Sequence, residues 1–384
     1  MGLRKIKNIL IILITALLLS AVSLAIIGNI GKRENDNSSA ASKIYSIYDL
    51  DDLKQFRDSC TRDNMYYIRE TVNLYADIDM GNESWGPINY FCGTFNGNGH
   101  TIYNYAGSGG IFGTFGYNPS YSGTIGSTLK NLNVIANNAA QGIVATNEGI
   151  IQNCSISGTI SAKSDNVGGI AGAFTNLRSS SILSCQNSAD IYANGYSFIG
   201  GIAGKRNSSG RNPPNAEICG CINYGSIYNG DNYIGGICGG AIGLSRTQYI
   251  NNINVGEING SGNYVDDILG RLYNGTNEKN YSLNSANEVR NYISNSSYWN
   301  TNYTSFSSSE WGNFNSSSNT NNGYPYLLIS ALTVSVRVNN SSYGNTGSFQ
   351  IIKGDSIASR GSSIRVNSSY NVYSASPKSS TNEY

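Results

Sequence analysis

The stretch Val167-Gly-Gly-Ile-Ala-Gly172 decides the fold, because near copies of it recur along the chain at almost even intervals. Measured between the central isoleucines, the steps are 32, 27, 32, 35 and 31 residues. A period of this length is typical of solenoids, in which each repeat is one coil that buries its apolar face only against its neighbours. The central residues are Ile111, Ile143, Ile170, Ile202, Ile237 and Ile268.

A second block follows each of the inner copies. It runs Ile151-Gln-Asn-Cys154, Ile182-Leu-Ser-Cys185, Ile218-Cys-Gly-Cys221 and Tyr249-Ile-Asn-Asn252. Short apolar runs punctuated by Gly and Asn predict strands and turns rather than amphipathic helices. Strands stacked about 4.8 Å apart would align equivalent residues of successive coils in ladders.

Three kinds of repeated residue are expected to have structural roles. Paired glycines destabilise a regular element by about 0.5–1 kcal/mol each, so their recurrence indicates positive φ or close backbone approach. The cysteines are expected to form a ladder of buried free thiols, although stacked neighbours would also lie within disulfide distance. Asn187, Asn223 and Asn254 are expected to form a ladder at a turn. The glycines are Gly168, Gly169, Gly200, Gly201, Gly235 and Gly236, and the cysteines are Cys154, Cys185 and Cys221.

Composition limits the function classes. The 384 residues carry a net charge of +1 and only 13% charged side chains, so no patch is indicated that would attract nucleic acid or an anionic membrane. The length suits one elongated repeat domain with small appendages. No cofactor is indicated.

The N-terminus predicts export. An apolar run at residues 9–28 follows Arg4, Lys5 and Lys7, and a helix of that length spans about 30 Å, enough for a bilayer. Residues 1–31 are therefore either a cleaved signal peptide or a retained membrane anchor. The basic flank predicts that the rest of the chain, after a linker at 32–43, lies outside the cell. Contact with the membrane is expected only through this segment.

A capping helix is predicted next, before the first strands. Asp49 suits the N-cap and Asp52 the N3 position, and Leu50, Leu53, Phe56 and Cys60 follow at helical spacing. Because a solenoid exposes an apolar end, this helix is expected to cover it. Residues 44–108 are thus interpreted as a helical cap and the first coil.

The motifs that follow the cap carry a family resemblance. Their order is Asp77-Ile-Asp79, Trp85-Gly-Pro-Ile88, Gly93-Thr-Phe-Asn-Gly-Asn-Gly-His-Thr-Ile102 and then the glycine repeats at 109–270. This order resembles bacterial surface proteins with the GLUG motif, which also occurs in the non-catalytic part of IgA1-specific metallopeptidases. The resemblance covers residues 44–328 and implies an all-β, right-handed parallel β-helix on an exported, adhesin-like protein.

The resemblance also sets the end of the array. Asp266 and Asp267 stand where a glycine pair is expected, which we interpret as the array running out after five to six coils. Residues 271–328, with Trp311 and Asn322-Gly-Tyr-Pro-Tyr-Leu327, look like the usual ending and are expected to close the array loosely. Residues 329–384 predict a small β tail of three strands, truncated or degenerate.

Catalytic candidates are few. His100 is the single histidine, so a His-Glu-x-x-His zinc site is absent, and the peptidase activity of relatives does not carry over. Its tight-turn context, Gly97-Asn-Gly-His100, predicts a structural role. Asp266 and Asp267 are the candidate pair for a glycosidase or lyase, but neighbouring strand residues point to opposite faces. We therefore predict no catalysis, with a carbohydrate-active enzyme as the alternative.

One group of oxygen-bearing side chains is a candidate metal site. Asp77 and Asp79 share a strand face, with Asn82 and Glu83 close behind, so four oxygens could converge on Ca²⁺. The spacing does not match an EF-hand, and aspartates at strand ends commonly bond local backbone. We favour the local role and assign no metal.

Two groups of residues are candidates for binding a ligand. A tyrosine strip could stack sugar rings, or its members could simply pack along a sheet. The longest coil carries a basic insertion at 205–214, which is either a partner-binding loop or a tolerated surface loop. We predict an exported cell-surface scaffold that binds a host or cell-surface glycan or protein, with a passive spacer as a further alternative. The candidates are Tyr196, Tyr224, Tyr228, Tyr233 and Tyr264 in the strip, and Lys205, Arg206 and Arg211 in the insertion.

Overall fold

A computed structural model describes residues 44–62, 67–117, 126–175, 180–207, 216–242, 247–273, 275–314, 320–336 and 347–352. The predicted export segment, the linker, Arg211 and the third predicted tail strand lie outside these residues. Within the described ranges, no helix is both long enough and apolar enough to cross a bilayer.

The described chain forms an all-β parallel solenoid of about seven turns, which confirms the predicted fold class. Four parallel sheets run along it. Sheet 1 has nine strands, Ile44–Ile47, Thr71–Leu74, Thr94–Asn96, Thr128–Lys130, Ile150–Gln152, Ser181–Leu183, Ala216–Cys219, Thr247–Ile250 and Thr276–Glu278. Sheet 2 has ten, Ile78–Asp79, Thr101–Tyr105, Asn133–Ala139, Ser155–Ser161, Gln186–Tyr192, Ile222–Asn223, Ile227–Gly230, Ile253–Asn254, Ile258–Gly260 and Tyr281–Ser282.

The glycine copies lie in the two shorter sheets. Sheet 3 contains Phe112–Phe115, Val144–Asn147, Ala171–Thr175, Ala203–Asn207, Cys238–Ile242 and Leu269–Arg271. Sheet 4 contains Val167–Gly168, Ile199–Gly200, Ile234–Gly235 and Val265–Asp266. The expected five to six coils were too few, because the coils that precede the first glycine copy and follow the last one lack that signature.

Parallel pairing stacks equivalent residues of successive coils. Ile151 pairs in register with Ile182, Ile182 with Ile218, and Ile218 with Tyr249. All four side chains are fully buried. Burying an apolar side chain of this size contributes about 1.5–3 kcal/mol, and each coil gains it only because the next coil covers it.

The asparagine ladder predicted from the sequence is present in the interior. Asn187 Nδ2 donates to Asn223 Oδ1 at 2.7 Å, and Asn223 Nδ2 donates to Asn254 Oδ1 at 2.7 Å. Each amide also donates to the backbone carbonyl two residues later, in Ala189, Gly225 and Gly256 respectively. The buried amides are therefore satisfied by one another and by the local turn, as buried polar groups must be.

The second glycine of each pair makes room for this ladder. A Cβ atom added to Gly169 would lie 2.6 Å from Asn187 Cγ, and one added to Gly201 or Gly236 would lie closer still to Asn223 or Asn254. Backbone carbonyls of the next coil crowd the same positions. The paired glycines and the asparagines therefore pack against each other across the coil and form one close-packed unit.

The N-terminal cap differs in one respect from the prediction. A strand, Ile44–Ile47, precedes helix α1, Leu50–Arg62, and pairs with Thr71–Leu74, so the helix is inserted within the first coils instead of preceding all strands. Asp49 Oδ1 accepts from the Asp52 backbone N–H as expected for an N-cap. The Phe56 ring lies 5.2 Å from Phe91, so the helix packs on apolar side chains of the first coils.

The segment after residue 271 packs more tightly than predicted. Helix α2, Ala286–Ser294, begins with a capping box between Ser285 and Glu288. Its apolar face forms a second core with Trp311, Leu327 and the solenoid residues Ile222 and Ile253. The expectation of a loose closure is therefore wrong: this segment is a packed layer on the solenoid flank. Short 3₁₀ turns occur at Ser296–Tyr298, Thr320–Gly323 and Leu328–Ser330.

Two antiparallel pairs follow the solenoid. Trp311–Gly312 pairs with Tyr326–Leu327 inside the closing segment. Ala331–Val336 pairs with Gly347–Ile352 and forms the small C-terminal β element. The tail thus shows two of the three predicted strands among the described residues.

We predict that Gly201→Ala lowers the free energy of unfolding by at least about 2 kcal/mol, because the new methyl group overlaps Asn223 and a carbonyl of the next coil. Urea unfolding followed by circular dichroism measures the change. Gly86→Ala is the matched control, since Gly86 is exposed and a Cβ there meets nothing within 4 Å. Equal stability of the two variants would contradict the close packing.

Candidate functional site

A stack of aromatic rings lies at one corner of the solenoid, directly before three strands of sheet 4. The Phe198 and Tyr233 centroids lie 4.3 Å apart with ring planes at 3°, and Tyr233 and Tyr264 lie 4.8 Å apart at 11°. Stacking follows from the register, because Ile199 pairs with Ile234 and Ile234 with Val265.

Two cations lie on this stack. The Lys205 Nζ atom is 4.6 Å from the Phe198 centroid, and the Arg271 guanidinium is 4.9 Å from Tyr264 and 5.9 Å from Tyr233. Arg271 Nη1 also donates to the Tyr233 hydroxyl at 3.3 Å. These distances permit cation–π attraction. We call Phe198, Tyr233, Tyr264, Lys205 and Arg271 the aromatic–basic ridge.

The ridge holds bulky residues in a conformation that they rarely adopt. Phe198 has φ +59° and Tyr233 has φ +61°, and Asn166, at the equivalent position one coil earlier, has φ +63°. The left-handed region costs an L-residue about 1–2 kcal/mol. Aromatic stacking contributes about 0.5–1.5 kcal/mol per pair beyond area burial, so the stack offsets much of this strain.

The ridge presents unpaired positive charge. Lys205 and Arg271 take part in none of the salt bridges among the described residues, which join Lys54 to Glu83, Arg57 to Asp58 and His100 to Asp77. The ring faces are largely covered by one another and by the cations. A ligand would therefore meet two cations, ring edges and tyrosine hydroxyls rather than a free aromatic face.

The predicted tyrosine strip is divided among separate places. Tyr224 is a correction, because its hydroxyl donates to the Pro325 carbonyl at 2.6 Å and its ring packs edge-on to Tyr324 under the closing segment. Tyr228 stacks on Tyr192, 5.1 Å away on sheet 2. Tyr196 packs half-buried against the core. Of the five tyrosines, only Tyr233 and Tyr264 lie on the ridge.

The residues of the predicted basic insertion also lie in different places. Lys205 and Arg206 continue the strand Ala203–Asn207, and they point in opposite directions. Lys205 joins the ridge, whereas Arg206 has 0% exposure and lies inside the solenoid. Arg206 is therefore not a surface-binding residue, because the strand extends beyond the point where the charged sequence suggested a loop.

Sequence reasoning missed Phe198 and Arg271 as members of the ridge. A signal for Phe198 was available, because it directly precedes Ile199-Gly200 as Tyr233 precedes Ile234-Gly235. Arg271 follows the last glycine copy, so the repeat pattern did not indicate where its side chain would lie.

The aspartates near the start of the array have structural partners. Asp77 Oδ1 accepts from the Thr101 backbone N–H at 2.8 Å and lies 3.1 Å from His100 Nδ1. Asp79 Oδ1 accepts from the Gly81 N–H and from Asn104 Nδ2, both at 2.8 Å. Nowhere in the described ranges do three His, Cys, Asp or Glu side chains gather as a metal site would require.

The remaining carboxylate pair lies at a turn near the end of the array. Asp266 Oδ1 accepts from the backbone N–H groups of Ile268 and Leu269, at 2.8 and 3.1 Å. The carboxylate thus closes a local turn where earlier coils have a glycine pair. Asp266 and Asp267 are both exposed at the end of the array.

All seven cysteines are buried free thiols. Cys185 N–H donates to Cys221 Sγ at 3.4 Å, so these two thiols lie on neighbouring coils. Burial raises the pKa of Cys154 and Cys185 well above the ordinary range and raises the pKa of Cys238 to about 11. A raised pKa disfavours the reactive thiolate, so these groups act as small apolar side chains.

The chain is similar in part to halomucin of Haloquadratum walsbyi, with 34% identity over 156 residues. The match covers 35% of this chain and 2% of halomucin. No known family model matches the chain. A solved Bacteroides ovatus protein, provisionally assigned as an immunoglobulin A1 protease, aligns with 76% of this chain and 94% of its own at 18% identity and a TM-score of 0.48.

We predict that Tyr233→Gly is more stable than Tyr233→Ala by about 1 kcal/mol, because glycine tolerates the left-handed backbone that alanine resists. Thermal unfolding measures the difference. Tyr192 is the control, since it is stacked and exposed but has an ordinary strand φ. There alanine should be the more stable substitution, and the same order at both sites would show that strain is not involved.

We predict that iodoacetamide at pH 8 modifies none of the seven cysteines in the native protein, since burial removes access and disfavours the thiolate. Intact mass spectrometry counts the adducts. The urea-unfolded protein, as control, should gain all seven. Rapid modification of Cys154 or Cys185 without unfolding would contradict the buried ladder.

Proposed function

We propose that the chain is an exported cell-surface scaffold that binds an acidic glycan through the aromatic–basic ridge, without catalysis. The resemblance to surface proteins with the GLUG motif supports an exterior location, as does the partial similarity to a protein named as a mucin. A solenoid suits the role, because it repeats one corner at regular spacing and so displays an extended binding surface.

The observation that carries this proposal is the pair of cations on the ring stack. Neither Lys205 nor Arg271 forms a salt bridge with an acidic side chain among the described residues, and both contact the rings. A carboxylated or sulfated sugar would bring the missing negative charge, and the Tyr233 and Tyr264 hydroxyls can hydrogen-bond sugar hydroxyls. Screening by salt should weaken such binding.

Two other functions are compatible with the predicted extracellular location and with the charges of the ridge. A protein ligand would meet the same ridge through its acidic side chains. A passive spacer would bind nothing there, and the unpaired cations would serve only to cover the rings. Asp266 caps a local turn and Asp267 is exposed, and no observation favours the enzyme alternative.

We predict that the protein retains carboxylated or sulfated glycans on an array, and that Lys205→Ala and Arg271→Ala each weaken retention at least about fivefold through loss of a charge-assisted contact. Lys130→Ala is the control, since Lys130 is a partly exposed cation on sheet 1, outside the ridge. Binding to cells but not to the array would indicate a protein ligand, and blank results in both assays would leave the spacer role.

A further inference from the structure

Arg206 is a positive charge inside the solenoid that no described carboxylate balances. Its side chain has 0% exposure, and its Nε and Nη2 atoms have no hydrogen-bond partner. Among the described residues, the Nη1 atom donates to the Ser180 hydroxyl at 3.4 Å. Burial lowers the pKa of Arg206 to about 10, so the guanidinium remains charged at neutral pH.

No carboxylate of the described residues forms a salt bridge with this guanidinium. In sequence, the segments 176–179, 208–215 and 243–246, which follow the strands around Arg206, contain neither Asp nor Glu. An unpaired buried charge is costly enough that proteins normally pair it, coordinate it or neutralise it.

The guanidinium has an aromatic ring in the coil below it and a smaller residue in the coil above it. The Arg206 guanidinium lies 5.3 Å from the Phe174 ring, which occupies the coil below in register. Its register partner in the coil above is Ala241, whose methyl group leaves more room than the phenylalanine. The Tyr249 hydroxyl is buried and donates to Cys238 Sγ at 3.6 Å.

We propose that Arg206 binds one small monovalent anion, a halide, inside the solenoid. One negative charge balances the single guanidinium, and Nε and Nη2 are the two donors that would hold it. A halide needs no acceptor from the protein and no particular orientation. The site is separate from the ridge, because Arg206 and Lys205 point to opposite sides of the same strand.

The test is thermal unfolding of the full chain in chloride or bromide, with sodium gluconate keeping the ionic strength constant. An ion that binds only the folded state should raise the unfolding midpoint by about 2–4 °C per tenfold increase above its dissociation constant. Arg206→Met should abolish the response, and Lys205→Met, one residue away, should keep it. Equal responses in wild type and Arg206→Met, or a response to formate without one to halide, would overturn the proposal.

A second measurement applies if Arg206→Met fails to fold. Crystals of the wild-type protein grown in bromide should show an anomalous peak within hydrogen-bond distance of Arg206 Nε or Nη2. An ordered water, or no density, at that position would overturn the proposal.

Discussion

The close approach between the glycine pairs and the asparagine ladder is the constraint on which the solenoid depends. Gly169, Gly201 and Gly236 have no room for a Cβ atom, because the amides of Asn187, Asn223 and Asn254 occupy it. The amides bond one another from coil to coil, so the spacing of the coils is fixed by hydrogen bonds as well as by apolar packing. A buried amide without hydrogen-bond partners is costly. The asparagines therefore need one another, and they need the space that the glycines leave.

The array ends where this unit ends. Asp267 stands at the position of Gly236, and Ser282 pairs in register with Asn254, so the next coil has neither the glycine nor the asparagine. Exposure rises in the same coil, and Asp266 closes its turn with a side chain instead. The aromatic–basic ridge extends over these last coils. Its charges therefore lie where the repeat pattern ends.

Much of the fold could be predicted from the sequence because solenoid coils are local and repetitive. The isoleucine spacing, the Asn ladder and the Asp49 cap all depend on residues close in sequence or in equivalent positions. The number of coils could not be counted, because the outer coils lack glycine pairs. Helix α2 was overlooked in an Asn/Ser-rich segment, although Ser285 and Glu288 have capping-box spacing and Val289, Tyr292 and Ile293 form an apolar face.

The candidate site was harder to predict, since it depends on the direction of individual side chains. The fourth residue after the central isoleucine is Phe115, Asn147, Phe174, Arg206 and Ala241 in successive copies, all buried. Aligning the copies would have placed Arg206 inside, but two adjacent charges before a polar insertion suggested a loop. Tyr224 was misplaced for another reason: the segment that covers it lies about a hundred residues later in the chain.

Amide hydrogen exchange of the glycine copies tests the central claim most directly. The N–H groups of Gly169 and Ile170 donate to Gly201 and Ile202 of the next coil, and Gly201 and Ile202 donate in turn to Gly235 and Ile237. We expect peptides covering 167–172 and 199–204 to exchange as slowly as the buried strand Gln186–Tyr192. Fast exchange, as in exposed glycine-rich loops, would contradict the account.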